Sequence, residues 1–216
     1  MDMRQSDRFS RSGGNRSRTN LLKFQQVYYV LDPDSRILWI GGEWDEFALS
    51  NGGSSAQSNK VLATPLANHV AGGETRAALA RMIDAVRAVQ GPLRIDYRCD
   101  SPTLLRRFQL TIQPMKDNRV LMVHDLRDAR SFDQALPHWH ADDAAEARKC
   151  SFCGAVHQLG RGWNFAEDLG AEHPTAVDYV ICPACAAQID EVVSSLHQRR
   201  APGIATTGGF GPGEDG

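Results

Sequence analysis

The chain of 216 residues sets 24 Lys and Arg against 26 Asp and Glu, and 42% of it is hydrophobic. The net charge of −2 excludes a generally basic nucleic-acid binder and a protein drawn to anionic membranes by charge alone. The apolar fraction suffices for a modest core, the length suits one medium domain and a small one, and no apolar run approaches the roughly 20 residues that span a bilayer.

Residues 1–20, rich in Arg, Ser, Gly and Asn, read as a polar, weakly basic tail without the apolar segment of a secretory signal. The expected compartment is therefore cytoplasmic, and the five cysteines belong in a reducing environment. Residues 21–127 alternate strand-like and helix-like patterns. Val27–Leu31 and Arg36–Ile40, β-branched and aromatic around Asp32-Pro33-Asp34-Ser35, predict a hairpin. Glu43–Leu49 follows as a helix with Trp44, Phe47 and Ala48 on one face, closed by Asn51-Gly52-Gly53. Ser54–Asn59 reads as a polar loop and Pro65–Val70 as one helical turn. In Glu74–Gln90, Leu79, Met82, Ile83, Val86 and Val89 recur at helical spacing, and Gly91-Pro92 stops the helix. Three strand-like runs finish the region: Leu93–Cys99, Arg107–Pro114 and Arg119–Leu126. In the second, Phe108, Leu110 and Ile112 face one way and Gln109, Thr111 and Gln113 the other, the alternation of a half-buried antiparallel strand.

Two strands, a helical middle and a three-strand meander resemble a PAS domain. Trp44, Phe47, Ala48, Asn51 and Gly52 match a W-x-x-F-A-x-x-N-G stretch of bacterial PAS sensors. Tyr97-Arg98-Cys99-Asp100-Ser101-Pro102 with Arg107-Phe108 resembles a subgroup of uncharacterised PAS-like proteins in which a cysteine-pair domain sometimes follows. The resemblance implies an α+β fold: a five-stranded antiparallel sheet with helices on one face, serving to sense a small ligand or to dimerise. The implied ligand cavity lies between helices and sheet, among Trp39, Trp44, Phe47, Leu79, Met82, Ile83, Val86, Cys99, Phe108, Leu110 and Ile112. Core packing is the competing expectation for these side chains, and a small buried thiol for Cys99. The flavin and haem signatures of the family are missing, so neither cofactor is expected.

Residues 128–147 are polar, interrupted by Pro137, and read as a connector that few contacts cross, so that 21–127 folds by itself. Residues 148–198 hold Cys150-Ser-Phe-Cys153-Gly154 and Cys182-Pro-Ala-Cys185. Two C-x-x-C turns supply four soft donors for one tetrahedral ion, which predicts a metal-binding domain. The turns also resemble rubredoxin, which keeps iron as the alternative ion. However, Ala186 stands where rubredoxin has a glycine, and an amphipathic helix bearing Ile189, Val192, Val193 and Leu196 follows. A zinc ribbon with a terminal helix fits this pattern, and Zn2+ is the expected ion. Four cysteines leave no open position, so the metal is expected to be structural. His138, His140, His157 and His173 read as surface residues. Residues 199–216, rich in Gly and Pro, read as a disordered tail.

The chain is thus expected to be a non-enzymatic bacterial regulatory protein. Its partner is another protein or a second copy of itself, and a small-molecule ligand fits the sensor reading. Two other classes compete with it: a transcription-linked nucleic-acid binder and an iron electron carrier. Arg148, Lys149, Arg161, Arg199 and Arg200 offer phosphate contacts, against which stand Glu167, Asp168, Glu172, Asp178, Asp190 and Glu191.

Overall fold

The computed structural model describes residues 26–170 and 173–200. The tail expected at 1–20 lies outside the described residues, as does the C-terminal tail from residue 201 onward. Strands β1 (Gln26–Leu31) and β2 (Ile37–Gly42) form the expected hairpin. Asp32 closes it by accepting the Arg36 N–H at 2.8 Å. Helix α1 (Trp44–Ser50) follows. The segment expected to be a loop instead holds a 3-10 turn and the single-turn helix α2 (Ser58–Val61). The Asp45 carboxylate organises it, accepting from the Ser58 N–H at 2.6 Å and hydroxyl at 2.7 Å. One helical turn has too few residues to show periodicity, so this element left no signal in the sequence.

Helix α3 (Gly73–Val89) is the long helix that the apolar spacing predicts, ending at Gln90 in a left-handed conformation. Strands β3 (Leu93–Arg98), β4 (Leu104–Pro114) and β5 (Val120–Ser131) complete an antiparallel sheet in the order β2-β1-β5-β4-β3. The last two strands run longer than expected. A register shift between Arg107 and Phe108 breaks the period-two pattern of β4, with Leu105 and Arg106 buried before it and Phe108, Leu110 and Ile112 after it. β5 consequently continues to Ser131, so the expected connector begins inside a strand.

The C-terminal part forms a second five-stranded sheet from β6 (His140–Ala141), β7 (Arg148–Cys150), β8 (Val156–Gln158), β9 (Gly162–Asn164) and β10 (Ala176–Val180). Its order is β6-β10-β7-β8-β9, with β10 parallel to both neighbours. Helix α4 (Pro183–Arg200) is the last described element.

The connector does not separate two cores. Met82, Ile83 and Val86 of α3 share one hydrophobic cluster with Leu110 and Ile112 of β4 and with Ile189, Val193 and Leu196 of α4. The start of α3 is also pinned to the cysteine segment. Glu74 accepts from the Ile181 N–H at 3.0 Å and from Arg148 at 3.1 Å, and the Thr75 and Ser151 hydroxyls meet at 2.6 Å. Gly72, at φ +79°, lies so close to the Tyr179 carbonyl oxygen that an added Cβ would stand 1.8 Å from it. The segments on either side of residues 128–147 thus pack into one apolar cluster.

One end of the sheet's helix-covered face carries polar aromatics. His124 of β5 lies between Tyr97, whose hydroxyl is 2.7 Å from Nδ1, and Tyr29, whose hydroxyl is 3.4 Å from Nε2. Burial lowers the His124 pKa from 6.5 to about 4 and raises that of Tyr29. Between pH 6.5 and 4 the unfolded chain protonates this histidine and the folded chain does not, so stability is full above pH 6.5 and falls as pH drops toward 4. The shift corresponds to about 3 kcal/mol. Denaturant unfolding at pH 7 and pH 4.5 should show a loss that is smaller by 1–3 kcal/mol in a His124→Gln variant, as estimated from the same linkage. Equal acid sensitivity in both proteins would show that His124 is not held neutral.

Candidate metal centre

Cys150 ends β7 and Cys153 follows in the turn leading to β8, while Cys182 directly precedes α4 and Cys185 sits in its first turn. Their four sulfur atoms lie within 4.8 Å of one another, and Cys153 Sγ and Cys182 Sγ are 3.7 Å apart. Four sulfurs each 2.3 Å from a tetrahedral ion would be separated by about 3.8 Å, so the arrangement fits such an ion. Cys150 is fully buried and Cys182 and Cys185 nearly so, while Cys153 is partly exposed.

Local backbone geometry explains how each pair converges. In the first turn the Gly154 N–H donates to the Cys150 carbonyl at 3.0 Å, and the Cys150 N–H donates to the Ala155 carbonyl at 2.8 Å. Gly154 takes φ +76°, a conformation that an L side chain strains against. In the second, Pro183 opens the helix, where its missing N–H is no loss, and the Ala186 N–H returns to the Cys182 carbonyl at 2.9 Å. The start of α4 thereby carries two of the sulfurs, from Cys182 and Cys185. The Cys182 N–H adds a donor to Cys150 Sγ at 3.4 Å.

Without a cation, Cys150, Cys153 and Cys185 perturb one another through their mutual hydrogen bonds. Hydrogen bonds from Cys153 and Cys185 hold Cys150 far below the ordinary thiol range. The bond with Cys150 in turn pushes Cys153 up to about 12, and bonds with Cys150 and Cys153 raise Cys185 further. Four thiolates coexist here only around a metal cation, which supplies the balancing charge.

The Arg98–Pro102 stretch acquires a physical role from this geometry. The Arg98 N–H donates to the Phe152 carbonyl at 2.6 Å, joining the end of β3 to the cysteine turn. The Arg98 guanidinium bridges Asp100 at 2.6 Å and Glu167 at 3.0 Å and lies over the Phe165 ring. Burial alone would lower the Arg98 pKa, but its bonds to Glu167 and Asp100 more than offset that and raise it. Asp100 also accepts the Arg106 N–H at 3.0 Å, and a Cβ on Gly154 would stand 3.3 Å from the Asp100 carboxylate. The buried Arg106 donates to the Cys99 carbonyl at 2.7 Å and to Asn51 at 2.8 Å, with its guanidinium over Phe47. A chain of charged groups thus runs from α1 through the β3–β4 turn to the metal turn. Its sequence signal is the pair of PAS-like stretches, which contain Phe47, Asn51, Arg98 and Asp100 but not Arg106 or the cysteine turn they hold.

The residues proposed for a ligand cavity divide. Met82, Ile83, Val86, Leu110 and Ile112 are buried together in the shared core, with Leu79 packed on its margin. Trp44 donates its indole N–H to the Ala56 carbonyl, and Phe47 packs edge-on against Phe108. Trp39 is 51% exposed and lies beside Tyr28, away from that core. Cys99 stands outside the sulfur cluster, its thiol pKa raised by burial. His138 and His140 are exposed, whereas the intervening Trp139 packs against a small satellite cluster around Leu136 and Val156. No family model matches the chain, and no curated protein matches it.

Removing the Asp100 carboxylate leaves the partly buried Arg98 guanidinium with Glu167 alone and takes the acceptor from the Arg106 N–H. Asp100→Ala should therefore cost about 3 kcal/mol of unfolding free energy, measured on the metal-loaded protein by urea titration. A loss below about 0.5 kcal/mol, the scale of an ordinary surface substitution, would remove this network from the account.

Proposed function

We propose that this chain is a non-enzymatic regulatory protein that works by binding a protein or small-molecule partner, with one zinc ion as the structural clamp of its fold. The observation that carries the reading is the convergence of four cysteine sulfurs from two distant turns, two of them carried by the start of α4. Four protein ligands complete a tetrahedral shell, and a shell without an open position supports a structural ion over a catalytic one. A cluster of four thiolates favours zinc among borderline-soft divalent ions, and iron is the competing occupant.

The regulatory part of the reading rests on the PAS-like order of two strands, a helical middle and a three-strand meander, with the Trp44–Gly52 and Tyr97–Pro102 stretches in place. In this chain the module has no separate output domain among the described residues. Its signal would pass through the surface it presents, with the cysteine segment fused to α3 as part of the same body. The charge near the metal turns is mixed, which favours a protein partner over nucleic acid.

Elemental analysis of the protein purified from its own host should give one zinc per chain. Cys182→Ser should lose the metal and become sensitive to protease across residues 148–198, because binding of a structural metal is largely folding free energy. A red protein containing iron would replace the zinc assignment. Retained metal with unchanged proteolysis in the variant would overturn the four-cysteine site.

A further inference from the structure

A second polar site lies on the other side of β7 from the metal. Adjacent strand residues face opposite ways, so Cys150 points to the sulfur cluster while Lys149 points away from it. The Lys149 ammonium sits 5.5 Å from the centre of the Trp139 ring and 5.8 Å from that of Tyr179. Among the described residues it makes neither a hydrogen bond nor an ion pair. These three side chains line a cleft of about 210 Å³ whose wall also includes Asn51, Ser101 and Pro102. The cleft thus draws on the β3–β4 turn, the end of α1, the connector and the second sheet, the kind of junction where ligand sites concentrate.

Asp100 and Lys149 both line the cleft. The Asp100 carboxylate is engaged by the Arg98 guanidinium and the Arg106 N–H, which leaves Lys149 as the cation whose donors remain free. A partly buried ammonium without an acceptor favours an anionic partner. The cleft is smaller than the roughly 300–1,000 Å³ of drug-sized ligand sites. The Asp100 carboxylate on its wall disfavours a doubly charged group, and aromatic and proline faces suit an apolar body.

We infer that this cleft binds a small organic monocarboxylate, with the Lys149 ammonium on the carboxylate and Trp139 and Tyr179 beside the apolar part. The inference deepens the binding reading above by naming its ligand class and site. A ligand held there would touch the connector at Trp139 and the turn at Ser101 together, tying the path between the two sheets to occupancy.

The test uses the zinc-loaded full chain with benzoate as the probe and ¹H–¹⁵N spectra as the readout. Benzoate should produce saturable shifts at the Trp139 indole N–H and at the Ser101 and Tyr179 amides. Uncharged benzamide and inorganic phosphate should each bind at least tenfold more weakly. Lys149→Gln, checked for zinc content and an otherwise intact spectrum, should also weaken benzoate at least tenfold. Absence of saturable shifts at millimolar benzoate, or equal binding of benzamide by the unaltered protein, would overturn the site. Tighter binding of phosphate than of benzoate would overturn the ligand class. The zinc content, read on the same samples, keeps a failure of this site distinct from a failure of the metal reading.

Discussion

The fold depends on bringing four thiolates to one point from two turns about thirty residues apart. Like charges at such close range are mutually destabilising. A divalent cation reverses that sign. Structural zinc contributes on the order of 10 kcal/mol in small metal domains, comparable to the entire stability of a typical folded domain. The short strands of the second sheet, several only two or three residues long, could not hold this segment by their ladder bonds alone. A metal held there would fix the two turns and with them the start of α4, which covers the apolar side of α3 and β3.

Contacts outside the sulfur cluster spread this constraint into the first sheet. The Arg98 backbone bond to Phe152 and the Arg98–Asp100–Glu167 bridge hold the first cysteine turn against the end of β3. Glu74 and Thr75 hold the start of α3 against both cysteine turns. Gly72 and Gly154 permit the close approaches that this docking needs. Removal of either member of a buried pair leaves a stranded charge, so these polar contacts fix one relative placement of the two sheets even where their net contribution to stability is small.

Much of this was legible in the sequence, for identifiable reasons. Strong periodicity revealed α3 through Met82, Ile83 and Val86, and alternation revealed β4 through Phe108, Leu110 and Ile112. The C-x-x-C spacing gave the four sulfurs because ligand chemistry imposes it locally. What stayed hidden depends on tertiary contact. The register shift at Arg107–Phe108 concealed the true lengths of β4 and β5, since a bulge breaks the pattern used to read a strand. The single-turn α2 rests on Asp45 from another element. The polarity of residues 128–147 suggests a connector that few contacts cross, yet Leu136 is buried and its N–H bonds the Pro102 carbonyl at 2.7 Å. In the sequence Lys149 reads only as one of the cations offering phosphate contacts, because nothing local announces that Trp139 and Tyr179 flank it.

Hydrogen exchange across the whole chain, before and after chelation of the metal, bears most directly on the claim that the metal centre and the first sheet form one body. The account predicts that removing the metal lowers amide protection in α3 around Met82–Val86 and at the end of β3, although neither element supplies a ligand. Loss of protection confined to residues 148–200, with α3 and β3 unchanged, would contradict it and leave the metal as the clamp of the C-terminal segment alone.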